Sequence, residues 1–119
     1  MPRGCLPQLL EEVKRIGEEF GFRSICYGHA GDGNLHINIL KDDMDDSKWH
    51  NELPKAITEL FQKVVEMGGT LSGEHGIGLV QTPYMHIACS KAQLDAMRSI
   101  KMALDPKGIL NPGKIFPQD

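Results

Sequence analysis

The stretch GHAGDGNLHINIL, residues 28–40, predicts two β-strands joined by a tight turn. Residues 32–34, Asp-Gly-Asn, are types that accept the positive φ values of a short hairpin turn. The second strand alternates, with Leu35, Ile37 and Ile39 on one face and His36 and Asn38 on the other. A strand whose second face carries an imidazole and an amide, rather than plain solvated charges, is expected to face a site.

The predicted hairpin brings His29 and His36 close together, because one precedes the turn and the other follows it. Two imidazoles in this position can share a metal ion. Histidine pairs near turns are also common as surface residues or as hydrogen-bonded residues of a core. The pair by itself therefore leaves a structural role and a metal-binding role open.

A second segment, GTLSGEHGIG at residues 69–78, favours the metal-binding role. Glu74 and His75 lie between glycines where no helix or strand pattern runs, and glycines allow close backbone approaches. His29, His36 and Glu74 together make the two-histidine, one-carboxylate set of a catalytic divalent-metal site with open positions. His75 is then a candidate general base beside the metal.

Three helical patterns surround the hairpin. One follows Pro7, one contains Pro54, and the third begins with a capping box made by Ser90 and Gln93. We place Pro54 in the first turn of its helix, since a proline deeper inside would cost about 3 kcal/mol. The apolar stripe of the third helix comprises Leu94, Met97, Ile100 and Leu104. With a further short strand at residues 70–72, the predicted fold is α+β, with helices packed on one face of a small antiparallel sheet.

Composition argues against several classes of function. The chain has 119 residues and a formal net charge of −3, and no basic stripe suggests nucleic-acid binding. No apolar run approaches the roughly 20 residues that a membrane span needs. The three cysteines are an odd number without a Cys-x-x-Cys pair, which argues against disulfides and against a thiolate metal site. We therefore predict a cytoplasmic protein.

Three motifs, taken together, resemble one known family. Residues 28–40, LSGEHGIG at 71–78 and LDPKGILNPGK at 104–114 are similar to the signatures of the C-terminal domain of FAD-linked oxidases. This family includes D-lactate dehydrogenase, D-2-hydroxyglutarate dehydrogenase and the FAD subunit of bacterial glycolate oxidase. The resemblance runs from about Pro2 to Ile115, which is nearly the whole chain.

The resemblance implies a role for each candidate residue. It implies that His29, His36 and Glu74 hold a divalent metal, zinc or manganese. His75 corresponds to the base that takes the hydroxyl proton of a small D-2-hydroxy acid while a hydride passes to FAD. Asn38 corresponds to a substrate-binding amide and Asn111 to a residue near the flavin ring. The fold it implies is half of a duplicated ferredoxin-like cap domain, and an electron acceptor, partner subunits or a homo-oligomer are the expected partners.

The sequence also departs from full members of that family. It contains no strand followed by Gly-x-Gly-x-x-Gly at the start of a helix, and the spacing of Gly73, Gly76 and Gly78 does not match that motif. We therefore expect residues 1–119 to form a single partial domain without the FAD-binding domain. On this reading the isolated chain has no flavin absorbance and no turnover of its own.

Two other functions fit the same residues. The first is a small metal-dependent hydrolase, in which the triad of His29, His36 and Glu74 activates water and His75 transfers protons. The second is a non-catalytic α+β module that binds a metal ion or small acids. The hydrolase would need a self-contained pocket, and the module would need no flavin domain.

Overall fold

The computed structural model describes residues 1–117. Within that range it contains one two-stranded antiparallel sheet and four α-helices, with short 3₁₀ turns at Arg3–Cys5, Ala30–Asp32 and Thr82–Tyr84. The elements in chain order are α1 (Leu6–Phe20), β1 (Arg23–His29), β2 (Asn34–Leu40), α2 (Asp46–Glu66), α3 (Met85–Ala88) and α4 (Lys91–Leu104). Helices α1 and α2 pack on one face of the sheet, and α3 and α4 pack around a second core. The predicted α+β class is confirmed.

The hairpin of β1 and β2 forms with a single continuous register. Arg23 pairs with Leu40 at the open end and His29 pairs with Asn34 next to the turn. The turn itself is the 3₁₀ segment Ala30–Asp32 followed by Gly33, whose φ of 70° lies in the left-handed region that favours glycine. The predicted hairpin between residues 28 and 40 is confirmed.

Helix α2 starts earlier than the sequence suggested. The side chain of Asp45 caps it by accepting a hydrogen bond from the Lys48 amide at 3.0 Å. Pro54 consequently lies inside the helix, and its predicted place in the first turn is wrong. Because proline has no N–H, the carbonyl one turn earlier in the helix receives no hydrogen bond from it. The carbonyl of Pro54 accepts a hydrogen bond of 2.8 Å from the Thr58 hydroxyl.

The main core lies between α1, α2 and the inner face of the sheet. The inner-face residues Leu35, Ile37 and Ile39 pack against it, as their alternation predicted. Its buried members are Leu9, Val13, Ile16, Phe22, Ala56, Leu60 and Val64. Burial of these apolar side chains orients the sheet, because it leaves the polar face of β2 turned away from the helices.

A second, smaller core anchors the glycine-rich segment. Leu71, Met85 and Leu94 are buried together there. The strand predicted at residues 70–72 is wrong, since this segment pairs with no strand within the described residues 1–117. Its hydroxyl groups bond locally instead: Thr70 donates to the carbonyl of Ser72 at 3.0 Å, and the hydroxyl of Ser72 accepts from the Gly76 amide at 2.8 Å.

Helix α4 begins and ends as predicted, but only the first part of its predicted apolar stripe is packed against the second core. The capping box of Ser90 and Gln93 is present in both directions. Leu94 is buried and Met97 packs against the second core, whereas Ile100 and Leu104 are exposed. After the helix, the buried carboxylate of Asp105 accepts hydrogen bonds from the amides of Ile109 and Leu110, each at 3.1 Å, and pairs with Lys101.

No helix in the described part of the chain combines the length and the apolar character needed to cross a membrane.

Truncation of Leu60 should show how strongly the main core stabilises the fold. Leu60→Ala removes a side chain that is only 7% exposed, and we expect a loss of about 2–5 kcal/mol in the free energy of unfolding. Leu10→Ala on α1 is the matched control, because Leu10 is exposed, and it should change this free energy by no more than about 0.5 kcal/mol. Urea unfolding followed by circular dichroism measures both. Equal effects of the two variants would contradict this description of the core.

The segment after α4 should loosen in acid. Lys101, together with the amides of Leu110 and Ile109, lowers the pKa of Asp105 below its ordinary value. A lowered folded-state pKa means that the stabilisation is present above the unfolded value of about 3.9 and is lost as pH falls through the folded value. The amide signals of Ile109 and Leu110 should therefore shift together in NMR spectra at that acid transition. Asp105→Asn should shift them already at neutral pH.

Asp95→Asn is the matched control for that experiment, because Asp95 is bound to Lys91 on the surface of α4. It should leave the amide signals of Ile109 and Leu110 in place. An Asp105→Asn variant with wild-type amide signals would show that the carboxylate does not hold this segment.

Candidate functional site

The outer face of the sheet carries the candidate residues. In the hairpin register, His29 lies opposite Asn34 and Tyr27 lies opposite His36. Directly opposite residues of an antiparallel pair point to the same face. Since Asn34, His36 and Asn38 alternate along β2, they share this outer face too. The alternation of the sequence thus correctly predicted the face of His36 and Asn38.

Tyr27 supports two of these side chains. Its ring stacks on the imidazole of His36, with 5.1 Å between the ring centroids. Its hydroxyl oxygen accepts a hydrogen bond of 3.1 Å from the side-chain amide of Asn38. One tyrosine therefore restricts both the imidazole and the amide, although more than half of its own surface is exposed.

The loop between α2 and the 3₁₀ turn at residues 82–84 brings Glu74 to the hairpin. The Oε1 atom of Glu74 accepts a hydrogen bond of 3.0 Å from the side-chain amide of Asn34. The same oxygen lies 3.0 Å from Nε2 of His36. The hydrogen bond from Asn34 joins residues that are 40 positions apart in the sequence, so the two glycine-rich segments converge.

The convergence places three possible metal ligands around one point. One donor atom from each of His29, His36 and Glu74 lies within 4.8 Å of the other two. Two ligand atoms of a tetrahedral zinc ion at distances of 2.0–2.2 Å lie about 3.4 Å apart, so the three side chains would have to move closer together to hold an ion. The donor set of two nitrogens and one carboxylate fits a catalytic divalent ion, and the metal itself stays a prediction.

The charge state of Glu74 suits this role. The hydrogen bond from Asn34, followed by the contact with His36 and the nearby imidazole of His75, lowers the pKa of Glu74 below its ordinary value. Glu74 is therefore a carboxylate at neutral pH, which is the form that binds a cation.

His75 lies next to the triad but remains open to solvent. Its ring centroid is 5.1 Å from that of His36, and its Nε2 atom is 4.0 Å from Oε1 of Glu74. The His75 side chain is 75% exposed. An imidazole is the commonest general base in proteins, and the role of His75 as a base stays a prediction.

A cavity of about 490 Å³ adjoins these residues. Such a volume lies within the usual range for small-ligand sites. Its lining includes Tyr27, His36, Asn38, Glu74 and His75, and it extends to Trp49, Leu53 and Ile57 of α2 on the helix side of the sheet. The side-chain oxygen of Gln81, which also lines the cavity, is buried and has no hydrogen-bond partner within residues 1–117.

Asn111 lies apart from this group. It is an exposed residue of the segment after α4, with a φ of 44°, and it does not line the cavity. Its predicted place near a flavin ring stays a prediction.

Sequence reasoning missed Tyr27, Asn34 and Gln81 as members of the site. Asn34 was interpreted only as a turn residue, although its period-two spacing with His36 and Asn38 signals the same face. The hairpin register could have placed Tyr27 opposite His36. Nothing in the local pattern around Gln81 indicates that its amide is buried at a cavity.

Comparisons with known proteins agree with the three motifs. The family model described as "FAD linked oxidases, C-terminal domain" matches residues 1–115. The chain is 37% identical over its whole length to the glycolate oxidase subunit GlcD of Bacillus subtilis and covers 25% of that protein. It is 40% identical to D-2-hydroxyglutarate dehydrogenase of Stutzerimonas stutzeri, over 95% of the chain and 25% of the relative. The resemblance predicted from the motifs is confirmed.

A third relative has a similar identity, and the match covers similar shares of the two chains. The D-lactate dehydrogenase of Anaerostipes hadrus is 36% identical over 97% of the chain, which covers 24% of that relative. The chain thus spans about a quarter of the length of the curated relatives that it matches.

Removal of the Tyr27 hydroxyl should release Asn38 without moving His36. Tyr27→Phe keeps the ring that stacks on His36 and removes the acceptor of the Asn38 amide. We expect the side-chain NH₂ signals of Asn38 to shift in ¹⁵N NMR spectra while the ring signals of His36 stay close to their wild-type positions. Tyr84→Phe is the matched control and should leave Asn38 unchanged. An unchanged Asn38 signal in Tyr27→Phe would contradict the contact.

Proposed function

Because the chain belongs to the family of FAD linked oxidases, whose C-terminal domain it matches, we propose that it binds the metal and the substrate in an FAD-dependent oxidoreductase of small D-2-hydroxy acids. One observation carries the proposal: His29, His36 and Glu74 converge beside His75, and His36, Glu74 and His75 line a single cavity. The printed names of the relatives, glycolate oxidase, D-lactate dehydrogenase and D-2-hydroxyglutarate dehydrogenase, all refer to hydroxy acids.

In this proposal His29, His36 and Glu74 hold the divalent cation, zinc or manganese. The cation supplies a positive charge that draws the hydroxyl and the carboxylate of the acid and makes the hydroxyl more acidic. Support comes from the chemistry of the donor set and from Glu74 being ionised at neutral pH. A hydrolase triad would use the same three groups, so the reaction is assigned from the family.

His75 is the proposed base. It accepts the proton of the substrate hydroxyl as a C=O bond forms at C2, and the product is a 2-oxo acid. FAD, when bound, supplies the acceptor for the hydride that leaves C2. His75 can then release its proton to water, because its side chain is largely exposed. Support for this role is its position, with its ring centroid 5.1 Å from that of a ligand histidine.

Asn38 is the proposed substrate amide. It lies on the same face as His36, and the Tyr27 hydroxyl holds one of its N–H groups. The second N–H and the carbonyl oxygen of the amide are left for the acid. Asn111 is proposed to lie near the flavin ring. This assignment rests only on the place of Asn111 in the third motif.

The wider setting is also a proposal. Most of the FAD contacts would come from protein outside this chain, since residues 1–119 contain no dinucleotide-binding glycine motif. The electron acceptor, partner subunits and any homo-oligomer are unassigned. A reducing, cytoplasmic location is also proposed, and it rests on an odd number of cysteines without a Cys-x-x-Cys pair.

Metal binding tests the first part of the proposal. Purified chain, stripped with a chelator, should bind one equivalent of zinc or manganese in isothermal titration calorimetry. His36→Ala removes a ligand, and we expect it to weaken binding by more than the roughly 100-fold upper range for outer-shell partners. His50→Ala on the exposed side of α2 is the matched control and should bind as the wild type does. Equal affinities for the two variants would overturn the ligand assignment.

Flavin reduction tests the second part, in the longer flavoprotein that contains this chain. Glycolate, D-lactate and D-2-hydroxyglutarate are mixed with the enzyme, and bleaching of the flavin is followed by stopped-flow absorbance. His75→Gln should slow reduction by about 10²–10⁴-fold, the usual contribution of a general base, while the bound metal is retained. Unchanged reduction would remove His75 from the reaction. Metal-dependent cleavage of simple esters by the isolated chain would instead favour a hydrolase.

A further inference from the structure

We propose that Asn34 is a positioning residue that holds the Glu74 carboxylate in the orientation that the cation requires. The inference rests on the proposed metal site and extends it to a residue that does not itself ligate. It concerns the contact between the hairpin and the glycine-rich loop.

The register gives Asn34 a place from which it reaches both parts of the triad. It pairs with the candidate ligand His29 across the hairpin and shares its face with His36. Its side-chain amide spans the gap to the loop and donates to Oε1 of Glu74 at 3.0 Å. Because β2 is part of the sheet, the donor sits on a rigid element while the acceptor sits on a loop.

Gly73 makes room for this contact. A Cβ atom built on Gly73 would lie 2.2 Å from the side-chain oxygen of Asn34. This is far below any real contact distance, so a side chain at position 73 would push the amide away from Glu74. The Asn34 side chain thus occupies the space that a side chain at position 73, directly before the candidate ligand Glu74, would need.

The asparagine contact is also the one that survives metal binding. Glu74 Oε1 has two neighbours, the amide of Asn34 and Nε2 of His36. An imidazole nitrogen that ligates a cation has no proton left to donate to a carboxylate. The neutral amide of Asn34 keeps its donor, so it would still hold one oxygen of Glu74 if His36 and Glu74 bound a cation.

Two variants break the contact from opposite sides. Asn34→Ala removes the donor, and Gly73→Ala displaces it while Asn34 stays present. Each has a matched control: Asn51→Ala on the exposed part of α2 and Gly31→Ala in the hairpin turn, where an added Cβ would meet nothing within 4 Å. Circular dichroism first checks that every variant is folded.

Two readouts separate positioning from a purely structural role. Zinc or manganese affinity should fall about 10–100-fold in Asn34→Ala and Gly73→Ala, the range expected for partners that orient a ligand, and stay unchanged in both controls. In metal-free protein at neutral pH, the carboxyl-carbon NMR signal of Glu74 should shift in the same two variants only. Folded variants with wild-type affinity and a wild-type Glu74 signal would overturn the inference.

The outcomes also distinguish this inference from the proposed function. If the wild-type chain binds neither metal, the metal proposal fails, and the role of Asn34 in metal binding fails with it, whatever the Glu74 signal does. If the wild type and both controls bind the metal and the two test variants bind it equally well, only the role of Asn34 fails.

Discussion

The register of the β1–β2 hairpin is the constraint on which the site depends. A shift of one residue would turn His36 and Asn38 toward α1 and α2 and would expose Leu35, Ile37 and Ile39. Burial of those three apolar side chains therefore selects the same register that presents the imidazole and the amides. The two-residue period of β2 therefore explains both why the apolar side chains are buried and why the polar side chains face outward.

The backbone around Gly28 keeps the two strands close beside the site. A Cβ atom at this position would lie 2.3 Å from the carbonyl oxygen of Asn34. Backbone atoms in a paired strand cannot move away as a flexible side chain can, so a larger residue would separate the strands where His29 and Asn34 face each other. The geometry of the candidate metal ligands thus depends on the absence of a side chain one residue before His29.

Local patterns predicted the hairpin, the caps of α4 and the polar face of β2, because each of these follows from neighbours in the sequence. The failures come from longer-range or competing interactions. Thr70 and Ser72 bond through their hydroxyls to the backbone of their own loop, and residues 70–72 form no strand. The cap at Asp45 and the packing of α2 outweigh the cost of Pro54 in the helix interior. The bond from Asn34 to Glu74 joins distant segments, which no local period can show.

Solvent exposure divides the chemistry between this chain and the rest of the proposed enzyme. Nearly half of the Glu74 side chain and three-quarters of the His75 side chain are in contact with water. Charges in such surroundings interact far more weakly than charges in a closed site. In the proposed site, cation binding would depend on the identity and orientation of the ligands. Stabilising the charges that develop when C2 is oxidised needs water to be excluded. In the proposed function, the chain therefore contributes ligands and the base, and the redox step requires the protein that carries FAD to cover them.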